Sequence, residues 1–174
     1  MDVIASARLD LVSLGSDIVE TLWQGSTAEA SDFIDAEVPP RWIDEEHQLF
    51  EWRLEQMLSD PASQPWLLRA LVVRESRAVA GYFNFHGPPG EENWVELGYT
   101  IEPNQRRKGY ATEAAVRMMT WAADEHGVEK FRASVSPSNL ASLGMIAKLG
   151  FQEIGTQWDE IDGEETVFMR TGAP

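Results

Sequence analysis

Gln105-Arg106-Arg107-Lys108-Gly109-Tyr110-Ala111-Thr112-Glu113 decides how this chain is read. A β-branched and aromatic run, residues 94–101, leads into the stretch as a strand, and a helical pattern leaves it. Three consecutive cations therefore meet a glycine where a strand gives way to a helix N-terminus. The N–H groups of a first helical turn lack intrahelical partners, and the helix dipole adds partial positive charge there. Such a terminus holds phosphate groups well. Gly109 lets the backbone approach an anion with no Cβ in the way. Two other phosphate motifs are absent: there is no G-x-x-x-x-G-K-[ST], and no G-x-G-x-x-G after a strand. By itself the stretch reads either as a pyrophosphate cradle or as a basic helix cap.

About thirty residues on comes Ser136-Pro137-Ser138-Asn139-Leu140-Ala141-Ser142, followed by Met145-Ile146-Ala147-Lys148-Leu149-Gly150-Phe151. Asn139 is an N-cap candidate after a proline-containing turn. Leu143, Ile146 and Ala147 fall at helical spacing, and Gly150 reads as the left-handed residue that ends the helix. A capped amphipathic helix needs no ligand to explain these features. Together, however, the two segments carry a resemblance. Arg106-x-x-Gly109-x-Ala111 is similar to the Q/R-x-x-G-x-G/A signature of the GNAT superfamily of acyl-CoA-dependent N-acyltransferases. Asn139-x-x-Ser142 with Lys148-x-Gly150-Phe151 resembles that superfamily's second hallmark. The specific motifs lie within residues 94–151.

Composition sets the outer bounds. The chain has 174 residues, enough for one domain, 1–174, with a sizeable core. It has no cysteine, so disulfides, thiolate nucleophiles and cysteine metal sites are excluded together. The three histidines lack ligand spacing, and no metal site is expected. The net charge is −15, and it is uneven: residues 1–64 hold 14 acids and 3 bases, residues 65–174 hold 15 and 11. Nucleic acid is thus an improbable partner. The acidic first third would suit a cationic amine, or simply solubility. No basic leader precedes an apolar stretch and no run reaches transmembrane length, so a cytoplasmic protein with no membrane partner is expected.

The pattern predicts strands at 8–12, 66–73, 79–86, 94–101, 130–135, 151–158 and 165–170, the last two as a hairpin around Asp162-Gly163. Helices are expected at 18–23, 44–57, 112–126 and after Asn139. The order, β-α-α-β-β-β-α-β-α-β-β, mixes hairpin and crossover connections. It implies an α/β (α+β) fold with a central mixed, mostly antiparallel sheet flanked by helices. The GNAT fold is described in the same order.

The resemblance also implies a site. The strand ending at Ile101 would offer backbone groups to the pantetheine arm of acetyl-CoA. Backbone N–H groups from Arg107 through Lys108, Gly109, Tyr110 and Ala111 to Thr112 would cradle its pyrophosphate, with Arg106, Arg107 or Lys108 balancing the charge. Many relatives carry glycine where this chain has Arg107. Asn139 would bind pantetheine amides as well as cap its helix.

Acyl transfer to an amine also needs a neutral nucleophile. Neutralising a lysine amine at pH 7 costs about 4.6 kcal/mol, an α-amino group about 1. Glu96 is the candidate base; it shares a strand face with Trp94 and Gly98, and its apolar neighbours would favour a near-neutral pKa if it is buried. An ordinary surface glutamate is the competing reading. Many GNATs place a tyrosine seven residues after the capping asparagine to protonate the thiolate; here that residue is Ile146. RimJ/RimL-like members share an aliphatic residue there and a serine like Ser142, which could donate to the sulfur. His86 reads as structural; the tryptophans 23, 42, 52 and 66 read either as core or as the lining of an acceptor pocket, and in the family fold the two N-terminal helices, near Arg41-Trp42, border the acceptor side. The implied activity is transfer of an acetyl group to a primary amine, either a protein or peptide N-terminus or a small amine. A homodimer is plausible for the superfamily. The competing class is a GNAT-like domain that binds CoA as a sensor without chemistry.

Overall fold

The computed structural model describes residues 2–161 and 163–174. They fall into two compact units, Met1–Asn84 with Tyr99–Ala114, and Phe85–Gly98 with Ala115–Pro174.

The first unit begins with strands β1 (Val3–Ala5) and β2 (Leu9–Ser13), followed by helices α1 (Ser16–Trp23), α2 (Thr27–Ile34), α3 (Trp42–Glu45) and α4 (His47–Ser59). Strands β3 (Arg69–Val73) and β4 (Val79–Phe85) follow, and β1-β2-β3-β4 pair antiparallel in that order. Apolar residues of α1, α2 and α4 (Val19, Leu22, Ile34, Phe50, Met57) form one core with Leu68, Ala70 and Val72 of the sheet region.

Strand β5 (Trp94–Ile101) lies in the second unit as far as Gly98, and there Trp94, Val95 and Glu96 pair parallel with β6 (Lys130–Val135); β6 pairs antiparallel with β8 (Gly163–Thr171), and β8 with β7 (Gln152–Asp159). Helix α5 (Tyr110–His126) turns Ala115, Met118, Met119 and Ala122 fully inward, as their spacing requires. Gly127 (φ +69) stops it, its N–H donating to the Ala123 carbonyl. Helix α6 (Leu140–Lys148) starts at Asn139, whose side chain accepts from Ser142 N at 3.1 Å, and ends before Gly150 (φ +75). The strand pairs of the first unit are all antiparallel, and those of the second are mixed, β5 with β6 being the parallel pair.

Several elements differ from the sequence reading. The expected helix over 44–57 is two helices, because Glu46 leaves helical geometry (φ −113, ψ 9). The expected strand start at Trp66 is a 3-10 turn, Pro61–Trp66: Asp60 accepts from Ala62 N, and Pro65 has no N–H to give a ladder. Helix α2 was unexpected, yet Ser26-x-x-Glu29 is a capping signature, and Ser26 does accept from Glu29 N. Strand β1 is three residues long and owes its form to its pairing with β2. On α6 the buried residues are Met145 and Ile146, while Ala147 is exposed. Trp52 of α4 is exposed as well. The tight-turn expectation at Asp162 lies outside the described residues; β7 and β8 pair up to Asp159↔Gly163.

Candidate functional site: a cationic loop and two carboxylate clusters

The loop between β5 and α5 belongs to the first unit. Ile101 ends β5, a short 3-10 turn (Pro103–Gln105) follows, and Arg106 is extended. Arg107 then adopts φ +61 and Gly109 φ +83. Arg107 thus occupies the left-handed region without being glycine, at a cost of about 1–2 kcal/mol. Gly109 O accepts from Glu113 N, so Tyr110, Ala111 and Thr112 form the first turn of α5 and their N–H groups lack helical acceptors. Arg106, Arg107, Lys108 and Gly109 are exposed. Arg106 Nε donates to the Ile101 carbonyl at 3.1 Å, and Lys108 Nζ to Gln105 Oε1 at 2.7 Å.

A fourth cation, Arg8, completes the loop, and no local signal in the sequence marks it. Its Nη1 donates to Lys108 O at 2.9 Å, and its guanidinium lies 4.8 Å from the Tyr110 ring centre. Its Nε and backbone N each donate to Glu113 at 2.7 Å, as does Ser6 Oγ. Partial burial alone would raise the Glu113 pKa, but the bonds from Ser6 and Arg8 outweigh it and hold the carboxyl below its ordinary value. Backbone donors, left-handed turns and exposed cations converge on one loop at the head of a 17-residue helix. This fits a pyrophosphate.

Asn139, Ser142 and Glu96 lie in the second unit. Ser142 sits in the first turn of α6 and is half-buried, its hydroxyl hydrogen-bonded to no described residue. Glu96 is buried (8% exposed), but its surroundings are not the apolar ones expected. Its Oε1 accepts from Ser134 Oγ at 2.5 Å, and its Oε2 lies 3.3 Å from Arg132 Nη1 and 4.0 Å from His86 Nδ1. The register explains this, since Glu96 is paired with Arg132 across β5 and β6. Arg132 also stands 5.3 Å over the Trp94 ring and donates to Gln157. A cavity of about 430 Å³ opens beside this cluster, walled by His86, Glu92, Trp94 and Glu96 among others. Ile146, at the family's tyrosine position, is buried in the core.

A second carboxylate cluster, again in the first unit, was not foreseen. Tyr82 OH donates to Glu46 Oε2 at 2.8 Å and accepts from Thr100 Oγ1 at 3.0 Å. Burial raises the Glu46 pKa, despite the Tyr82 bond and nearby Arg41, which both lower it. Burial also pushes the Tyr82 phenol upward. Trp42 is fully buried against Phe50 and Tyr82, and its Nε1 donates to buried Glu102 at 2.9 Å. Arg41 Nε lies 3.1 Å from the other Glu102 oxygen. Among the described residues no group of three or more histidines, cysteines or acids is placed to hold a metal, and no helix is long and apolar enough to cross a membrane.

A mixed sheet flanked by helices, with a cationic glycine loop feeding a long helix, defines the GNAT class of fold. The acetyltransferase (GNAT) domain family matches residues 8–152, and the chain belongs to it. It is 33% identical over 81 residues to the uncharacterized N-acetyltransferase YjdG of Bacillus subtilis, a stretch covering 47% of this chain and 48% of that protein. The chain spans about half the length of the curated relatives it matches. Among solved structures, the ribosomal-protein-S5-alanine acetyltransferase from Vibrio fischeri superposes with a TM-score of 0.69 at 13% identity, covering 99% of this chain and 97% of that one. RimL, a ribosomal α-N-protein acetyltransferase in complex with coenzyme A, gives 0.68 at 14% identity, covering 98% of each chain. At such identities the likeness is one of fold.

Proposed function

We propose that residues 1–174 form one catalytic domain, an acetyl-CoA-dependent N-acetyltransferase that transfers the acetyl group directly to a primary amine. The observation that carries this reading is the loop: left-handed Arg107 and Gly109 lead the chain into the unpaired N–H groups of Tyr110, Ala111 and Thr112 among exposed cations. Arg107 and Lys108 balance the pyrophosphate charge, with Arg106 held to the strand end at Ile101. Asn139 and Ser142 serve the pantetheine arm and the leaving sulfur, and Glu96 acts as the base of the attack step. We place the protein in the RimJ/RimL-like branch, with a protein or peptide N-terminus as the leading acceptor and small amines next. The likeness to two ribosomal-protein acetyltransferases and the aliphatic Ile146 support that placement. A cytoplasmic location and a homodimer go with this reading; nucleic acid and membrane do not.

Calorimetric titration tests it. Acetyl-CoA should bind in the micromolar range, and acetyl-pantetheine, which lacks the pyrophosphate, at least tenfold more weakly; charged hydrogen bonds of about 1.5–3 kcal/mol each set that expectation. Equal affinities would remove the loop from the site, and no binding would end the cofactor assignment. Tight acetyl-CoA binding with no turnover of any amine would instead favour a CoA-binding sensor, a reading the missing tyrosine at Ile146 keeps open.

A further inference from the structure

Acetylating a protonated amine takes two protons from its nitrogen: R–NH₃⁺ and the thioester give R–NH–acetyl, the free thiol and one H⁺. One proton ends on the sulfur. The other must leave the site, and a neutral nucleophile exists only once it has gone. Glu96 is tied to Ser134 and Arg132. A second carboxylate stands at the end of a chain of hydroxyls, and nothing in the attack step uses it.

Thr100 is the last residue of β5 before Ile101, where the pantetheine strand of the proposed site ends. Its hydroxyl donates to Tyr82 OH at 3.0 Å, and Tyr82 OH donates to Glu46 Oε2 at 2.8 Å. The three groups form one directional chain. Its middle member is buried at 7% exposed, whereas Glu46 is only half-buried and so in contact with water. The break between α3 and α4 places Glu46 there. No glycine or proline causes that break, and in it the Glu46 carboxylate takes the Tyr82 hydrogen bond. Thr100 uses its proton on Tyr82, which leaves its oxygen lone pairs to accept from an N–H.

We propose that Thr100, Tyr82 and Glu46 form a proton exit, through which the acceptor ammonium loses its first proton before attack. The proton passes from nitrogen to Thr100 Oγ1 as the Thr100 proton moves to Tyr82 and the Tyr82 proton to Glu46. Glu46 becomes a carboxylic acid, the amine becomes neutral, and Glu46 then releases the proton to water. The charged groups around Glu46 are Arg41 and Glu45 at α3 and Glu102 after β5, while Arg53 on α4 acts on Tyr82. Burial raises the Glu46 pKa, which favours the protonated form that the exit passes through. This inference rests on the transferase reading and adds Glu46, Tyr82 and Thr100 to it as proton-handling residues.

The test uses the full chain with three probe acceptors: a serine-initiated tetrapeptide amide, an alanine-initiated one, and spermidine. Rates are followed by thiol release from about pH 6 to 9.5, spanning the α-amino range. In Glu46→Gln, Tyr82→Phe and Thr100→Val, kcat/KM for the amine should fall roughly 10²-fold near pH 6.5. The deficit should close as pH approaches the amine's own pKa, where neutral amine arrives from solution. Acetyl-CoA affinity should stay within twofold, Thr100→Ser should restore the rate, and the Glu46→Gln/Tyr82→Phe pair should be no slower than either alone. A deficit independent of pH, or one shared with acetyl-CoA affinity, overturns the exit and leaves the transferase reading standing. Wild type that binds acetyl-CoA yet turns over none of the probes overturns both; failure to bind acetyl-CoA removes the cofactor reading first.

Discussion

Gly81→Ala is the substitution whose cost the structure defines most sharply. Gly81 lies in β4 at φ +144, and a Cβ added there would sit 2.0 Å from the Thr100 carbonyl oxygen, 2.9 Å from its carbon and 3.0 Å from Ile101 Cα. The first distance is roughly 1.5 Å short of van der Waals contact. All three neighbours are backbone, so no side chain can swing away. The end of β5 is also pinned on both sides of Gly81: Glu102 N donates to Ala80 O at 2.9 Å, and Thr100 Oγ1 donates to Tyr82 at 3.0 Å. Forcing alanine into this conformation costs about 1–3 kcal/mol, and the overpacking about 1–3 more. A total near 4 kcal/mol would lower Tm by about 10 °C for a chain of this size. Thermal and urea denaturation measure it, with Gly90→Ala, where nothing lies within 4 Å, as the control expected to stay within about 0.5 kcal/mol. Acetyl-CoA affinity should drop in step, since the displaced residues are Thr100 and Ile101. A Gly81→Ala protein within about 1 kcal/mol of wild type, with unchanged affinity, would refute the close-approach argument.

Asn139→Ala should cost about 1 kcal/mol through loss of the cap on Ser142 N, and Asn139→Ser should restore stability. If the serine variant regains stability but binds acetyl-CoA weakly, the amide of Asn139 has a ligand role beyond its cap; full recovery of both properties would make it a cap alone. Glu113→Gln reports on the clasp to Arg8 and Ser6 through pH. Because the folded-state pKa of Glu113 lies below its unfolded value, the unfolded chain binds more protons, and stability rises with pH across that window. The clasp is thus at full strength above about pH 4.3 and is lost as pH falls through the depressed folded pKa. Urea midpoints of wild type and Glu113→Gln should therefore separate at pH 7 and converge in acid; a separation that grows on acidification would contradict the linkage.

What the sequence determined about this protein lies within one turn or one strand. Arg106-x-x-Gly109-x-Ala111 announced a glycine loop at a helix start, and Gly109 and α5 are found there. Asn139 and Gly150 bound α6 as cap and stop, because capping is a contact between residues three or four apart. Strands β5 and β6 begin and end where alternation and β-branching placed them. Helix α2, which was not expected, carries a local signal of the same kind in Ser26-x-x-Glu29. Tertiary structure decided the rest. Arg8 reaches the Lys108 carbonyl from 100 residues away in the chain. Glu46 meets Tyr82 across 36 residues, Tyr82 meets Thr100 across 18, and Ser134 and Arg132 close on Glu96 only through the β5–β6 register. The break at Glu46 is likewise tied to a distant tyrosine and to the burial of Trp42. Local propensity acts through backbone angles and neighbours a few residues off, so it can be read along the chain. The charge around a carboxylate depends on which strands lie side by side, and only the folded chain settles that.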